Sequence, residues 1–204
     1  MCEKQFQYAG CTVKIIQDDC SINPRKDYGN LGKMILFPSR NYRVINEWKH
    51  SDNMRDINSA LRSLAWWITR SDAMEDESIV PMEHVLRCVN KHYVIVAIHR
   101  NDYTGDVFGS GDGISDDDGC DGFILFPVAD LVKEGIDRAQ AAKILEGEIE
   151  EYSAWCAGDV YGYVIEDRNG NELDSCWGFY GQDYATESAK QSAKAQRYIP
   201  VENV

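Results

Sequence analysis

Closely paired cysteines are missing from this chain. The seven cysteines, Cys2, Cys11, Cys20, Cys88, Cys120, Cys156 and Cys176, form an irregular set with no C-x-x-C and no two closer than nine residues. An odd set without secretory context reads as reduced cytosolic thiols, some of them core residues, and it lacks the paired spacing usual in zinc sites. No apolar run approaches the roughly 20 residues a spanning helix needs. The opening MCEKQFQYAG shows no basic segment leading into an apolar one, so no signal peptide is expected and the cytoplasm is the expected compartment. Walker A, G-x-S-x-G, G-x-G-x-x-G and H-E-x-x-H patterns are all absent. The glycine-rich stretch 105–113 is interspersed with aspartates, which repel phosphate. His50, His84, His92 and His99 show no ligand spacing; His92 and His99, seven residues apart around an apolar run, are expected on opposite strand faces.

Basic charge is scarce, but unevenly so. The net charge is −13, and it divides into +4 through Arg70 and −17 from Ser71 onward. Acidic clusters at 72–77, 112–121, 146–151 and 166–174 describe a solvated surface, or a negative face that repels nucleic acid and attracts basic partners. At 204 residues, with 44% hydrophobic and 11% aromatic content, the chain can bury a substantial core as one domain spanning 1–204.

Hydrophobic periodicity predicts the elements. Residues 6–16 read as a strand rich in β-branched side chains, and 34–37 as a second strand stopped at Pro38. Met54, Ile57, Leu61, Leu64, Ala65 and Ile68 recur at helical spacing, with Asp52 or Asn53 as cap and at least one of Trp66 and Trp67 buried. Pro81 opens a short segment with Val85, Leu86 and Val89. YVIVAI at 93–98 fits a central strand covered on both faces. Residues 101–122 hold six glycines and seven aspartates and read as a long loop. A strand at 123–126 ends at Pro127, and Asp137 caps a helix carrying Ala141, Ile144, Leu145, Glu148, Ile149, Tyr152 and Trp155 on one stripe. Val160–Ile165 and Leu173–Tyr180 flank Asn169-Gly170, a strong hairpin signal. An Ala-rich helix over 184–196 precedes a tail at 197–204. The class is α+β: a mostly antiparallel sheet packed by two main helices, with a C-terminal hairpin and a short terminal helix. Cys176, Trp177, Phe179 and Tyr180 are expected to pack on the helix from Asp137 to Trp155.

Three candidate sites emerge. The first is an acidic partner-binding face of Glu146, Glu150, Glu151, Glu166, Asp167, Glu172 and Asp174. The second is the loop DGISDDDGCDG, where Asp112, Asp116, Asp117, Asp118 and Asp121 could hold a divalent cation; no other cofactor is expected. It is not an EF-hand, because a frame starting at Asp116 places Cys120 and Asp121 where an oxygen ligand and glycine belong. A frame starting at Asp167 fails too, with Glu172 for the glycine and Gly178 for the glutamate. With His99, these aspartates would serve a small metal-dependent enzyme. The third is a basic strip, Arg25, Lys26, Lys33, Arg40 and Arg43, with Tyr28, Phe37, Tyr42 and Trp48 interleaved, as in nucleic-acid-binding surfaces. Cys176 is a poor candidate nucleophile, since its sequence neighbours are acidic and none is a basic residue that would favour a thiolate. No catalytic residue is assigned.

Two segments, NPRKDYGNLGKMILFPSRNY at 23–42 and the block 144–181 with GDVYGYVIEDRNGNE and DSCWGFYG, resemble a family of uncharacterised phage and prophage proteins. The family form carries an acidic residue before NLG and a histidine at Pro38; this chain has Gly29 and Pro38 there. It also has HRNDYTGDVFGSGDG in place of a tyrosine–aspartate–histidine turn. The resemblance implies a mobile-element origin and a cytoplasmic accessory or host-directed role. Joined to the acidic charge, it leads to the expectation of a non-enzymatic inhibitor of a host defence complex, of the anti-CRISPR or antirestriction kind. Its partner would be a host protein, or protein–nucleic-acid complex, with a basic surface, and no membrane is involved.

Overall fold

The computed structural model describes residues 2–27, 29–37, 45–48, 54–101, 107–114 and 119–196. In chain order the elements are β1 (Cys2–Tyr8), β2 (Cys11–Gln17), α1 (Pro24–Asp27), β3 (Lys33–Leu36), β4 (Ile45–Asn46), α2 (Ile57–Thr69) and α3 (Met82–His92). There follow β5 (Tyr93–Asn101), β6 (Val107–Gly111), β7 (Gly122–Pro127), α4 (Leu131–Glu134), α5 (Arg138–Cys156), β8 (Val160–Glu166), β9 (Glu172–Tyr180) and α6 (Gln182–Gln196). The α+β class with antiparallel sheet holds. The described strands are divided between two sheets, of order β1-β2-β8-β9 and β4-β3-β7-β5-β6, and every pairing is antiparallel. The chain divides into two compact units, one formed by 1–28 with 151–204 and the other by 29–150.

In the first unit, the single strand expected over 6–16 is instead the β1–β2 hairpin. Ala9 (φ 52°) and Gly10 (φ 88°) both take the left-handed conformation that a two-residue hairpin turn demands. Ala-Gly is a weaker turn signal than Asn-Gly, and the β-branched run around it hid the reversal. Cys11, Val13 and Ile15 are buried at alternate positions of β2, opposite Tyr163 and Ile165 of β8. Helix α6 packs on this face through Ala185, Ala189 and Ala193, each fully buried at four-residue steps. Small side chains there let the helix approach the sheet closely. Phe179 stacks on Tyr163 at 5.5 Å and meets Tyr184 edge-on at 5.5 Å. Helix α6 thus covers the C-terminal hairpin, and Cys176 and Trp177, expected in the core, are exposed.

In the second unit, α2 and α3 cover one face of the five-stranded sheet. Ile57, Leu61 and Leu64 of α2 and Val85 and Val89 of α3 join Ile35, Phe123 and Leu125 in one core cluster. The cap of α2 is Asp56: its carboxylate accepts the Ser59 N–H at 2.7 Å, while Ser59 Oγ accepts the Asp56 N–H at 3.0 Å. Asp52 and Asn53, expected in this role, lie outside the described residues. Trp66 and Trp67 are both only half-buried. Residues 122–126 of β7 are buried without alternation because both faces are covered. Phe123 and Leu125 point into the α2–α3 cluster, and Ile124 lies with Leu145 of α5 around Gly32. Asp137 caps α5 as expected, accepting the Gln140 N–H at 2.8 Å. YVIVAI falls in β5, an interior strand between β7 and β6. His92 is the last residue of α3, so the two histidines do not share a strand. The expected loop 101–122 contains β6, which pairs back on β5.

Candidate functional site

The acidic residues read from the sequence fall into two groups. On α5, Glu146 and Glu150 stand one turn apart and exposed, and neither enters an ion pair among the described residues. Glu151 is exposed as well. The carboxylates of the C-terminal hairpin are occupied by the fold around them. Glu166 pairs with Lys14 at 2.5 Å across the β2–β8 ladder. Asp167 accepts the N–H groups of Asn169 at 2.7 Å and Asn171 at 2.9 Å, and the Asn171 side-chain amide at 2.9 Å. The Asn171 bonds hold its carboxyl below the usual aspartate range. Glu172 accepts the Ser175 hydroxyl at 2.7 Å. Asp174 is half-buried and accepts the hydroxyls of Tyr163 and Ser192. Burial is the first cause that pushes the Tyr163 phenol upward. These four carboxylates therefore shape the hairpin and its contact with α6.

The candidate cation loop is divided in a different way. Asp116, Asp117 and Asp118 lie outside the described residues. Asp112 is exposed just past β6. Asp121 accepts the backbone N–H of Arg100 at 2.8 Å and faces its guanidinium at 3.7 Å. Among the described residues no group of three histidine, cysteine or acidic side chains is placed to hold a metal ion. His99 packs on Gly111, where an added Cβ would sit 2.4 Å from the imidazole Cδ2. Its Nε2 is buried without a hydrogen-bond partner among the described residues.

Of the basic strip, Arg25 and Lys26 belong to α1 in the first unit, and Lys33 opens β3 in the second. Arg40 and Arg43 lie outside the described residues.

The second unit carries a different feature, a groove of about 470 Å³ between the end of α2 and one face of α3. Ile68 and Thr69 of α2 and the half-buried Cys88 form its floor. His84, Arg87, Lys91 and His92, all exposed on α3, form its rim. Burial pushes the Cys88 thiol up, with Lys91 acting weakly the other way. This site follows from helical spacing: residues 84, 87, 88, 91 and 92 share a face beside the buried Val85 and Val89. The bulk charge of −17 after Arg70 conceals four cationic or imidazole side chains within nine residues of the sequence.

Within the described residues of segments 23–42 and 144–181, Glu148, Gly32 and Gly162 make close contacts. Glu148 of α5, 8% exposed, accepts the N–H of Leu31 at 2.6 Å and of Gly32 at 3.3 Å. A Cβ at Gly32 would lie 2.4 Å from Leu145 and 2.6 Å from Ile124. In β8, a Cβ at Gly162 would lie 2.2 Å from the Trp177 ring. No family model, curated protein or solved structure matches the chain. Among the described residues no helix is long and apolar enough to cross a membrane.

Proposed function

We propose that this is a phage or mobile-element protein that acts by binding. Its acidic surface would occupy the basic nucleic-acid channel of a host defence complex of the anti-CRISPR or antirestriction kind. The observation that carries the reading is the pair Glu146 and Glu150, exposed one turn apart on α5 and engaged in no ion pair among the described residues. Carboxylates left uncompensated in this way are available to a cationic partner, whereas Glu166 and Asp174 are committed to Lys14, Tyr163 and Ser192. The −17 charge after Arg70 supplies the long-range attraction.

The test is a plaque assay on a host with an active restriction or CRISPR system and on its defence-deleted derivative. Expression of the protein should raise plaque counts only on the defended host, and Glu146→Lys/Glu150→Lys should abolish the rise. The complex captured from the defended host should dissociate as salt approaches 1 M, where the screening length falls to about 3 Å. Equal plaque counts with and without the protein across defence systems would sink the inhibitor reading. Capture indifferent to salt would sink the electrostatic mechanism.

A further inference from the structure

We propose that the groove between α2 and α3 is a second binding site, which takes an acidic peptide segment of a partner protein carrying apolar anchor residues. This inference is independent of the acidic surface above, since it uses a basic rim on α3 that shares no residue with that surface. The floor is formed by Ile68, Thr69 and Cys88, of which the apolar Ile68 and Cys88 are half-buried. The rim is a row. From His84 to His92 the helix rises about 12 Å at 1.5 Å per residue, and a cationic or imidazole side chain stands at each turn.

That geometry discriminates among anions. A phosphate group is recognised by donors that converge on one point, such as a bidentate arginine or the free N–H groups of a helix start. Here the donors are strung along a helix side, where backbone N–H groups are already bonded. A polynucleotide needs stacking rings and an extended basic track. The floor offers no aromatic ring, and the link from α2 to α3 exposes Asp72, Glu75, Asp76 and Glu77. Those carboxylates repel a long polyanion. A short peptide with acidic residues at turn spacing and leucine-like anchors between them matches both the row and the floor. Arg87 is partly compensated by Glu83 at 2.6 Å, an exposed pair that an incoming carboxylate can displace at small cost.

The probe is a fluorescein-labelled peptide with glutamates at successive helical turns and leucines between them, followed by anisotropy at low salt. The wild-type chain should bind it. Arg87→Glu/Lys91→Glu should weaken binding about tenfold or more, while Lys133→Glu on α4 leaves it unchanged. Replacing the peptide leucines by serine should weaken binding as well. Circular dichroism confirms that each variant folds, and Arg87→Gln serves if the double reversal does not. In the wild-type chain, bound peptide should slow alkylation of Cys88, read by mass spectrometry, without slowing that of the exposed Cys20. Four results overturn the proposal: equal weakening by Lys133→Glu, no protection of Cys88, displacement of the peptide by pyrophosphate or a single-stranded oligonucleotide more readily than by unlabelled peptide, or occupation of the groove by a second copy of this chain in sedimentation.

Discussion

The Glu148 carboxylate accepts the Leu31 N–H at 2.6 Å, fastening the turn before β3 to helix α5. Both ends of this contact are buried or half-buried, so the acceptor cannot be replaced cheaply by water. Glu148→Ala should lower unfolding stability by about 1–3 kcal/mol, the usual cost of leaving a buried donor unpaired. Glu148→Gln retains one carbonyl acceptor and should lose less. Urea denaturation with a common m-value reads both, and an unchanged midpoint for Glu148→Ala would show that the latch carries no stability.

Trp177 is 49% exposed, yet its position is set from beneath by the missing side chain of Gly162. A methyl group at 162 would meet Cε3 of the indole at 2.2 Å and Cδ2 at 2.4 Å. Gly162→Ala should therefore displace the ring and cost about 1–3 kcal/mol, in the range of overpacked sites. With fluorotryptophan incorporated, the Trp177 resonance, assigned through Trp177→Phe, should move in Gly162→Ala while those of Trp66 and Trp67 stay. A stationary Trp177 resonance would be inconsistent with this packing.

Periodic segments were readable from the chain alone. The spacing of Ile57, Leu61 and Leu64 located α2, the apolar run located β5, and Asn169-Gly170 located the C-terminal hairpin. What escaped was whatever depends on partners distant in sequence. The Ala9-Gly10 reversal needs two left-handed residues, and alanine rarely advertises that conformation. The identity of the helix over the hairpin depended on whether Ala185, Ala189 and Ala193 form a packing face or a weak terminal helix; they are fully buried. Trp177 looked like core by its chemistry, and only its register on an edge strand explains its exposure. Of the candidate sites, the charges were legible but their employment was not. Glu166, Asp167 and Asp174 look like Glu146 and Glu150 in one dimension, and they differ because a lysine, an asparagine turn and two hydroxyls meet them in the fold.

Asp167 gives a pH prediction. Its folded pKa is depressed by the Asn171 side-chain and backbone hydrogen bonds. A group depressed in this way contributes stability that is present above its unfolded pKa, about 3.9, and is lost as pH falls through the folded value. The β8–β9 turn should stay closed at neutral pH and loosen below about pH 4. The amide resonances of Asn169 and Asn171 should shift together with the Asp167 carboxyl in an NMR titration, with a midpoint below about 3.9. Asp167→Ala should remove that shared transition. Midpoints above the unfolded aspartate value would contradict the assignment.

Arg62 makes the link between α2 and α3 part of the core. Its side chain is 8% exposed, and Nη1 donates to the carbonyls of Met74 and Val80, both at 3.0 Å. Glu77 lies 3.8 Å from Nε and is itself exposed, so it adds little through water. The carbonyl bonds therefore dominate, and they pin both ends of the acidic segment 74–80. Arg62→Leu keeps much of the apolar stem but leaves two carbonyls without their donor, and should cost about 2–5 kcal/mol. Glu77→Gln should cost under about 1 kcal/mol. Amide hydrogen exchange should separate the two, with protection of residues 74–80 collapsing in Arg62→Leu and persisting in Glu77→Gln. Equal losses in both variants would assign the segment's stability to the ion pair instead of the carbonyl bonds.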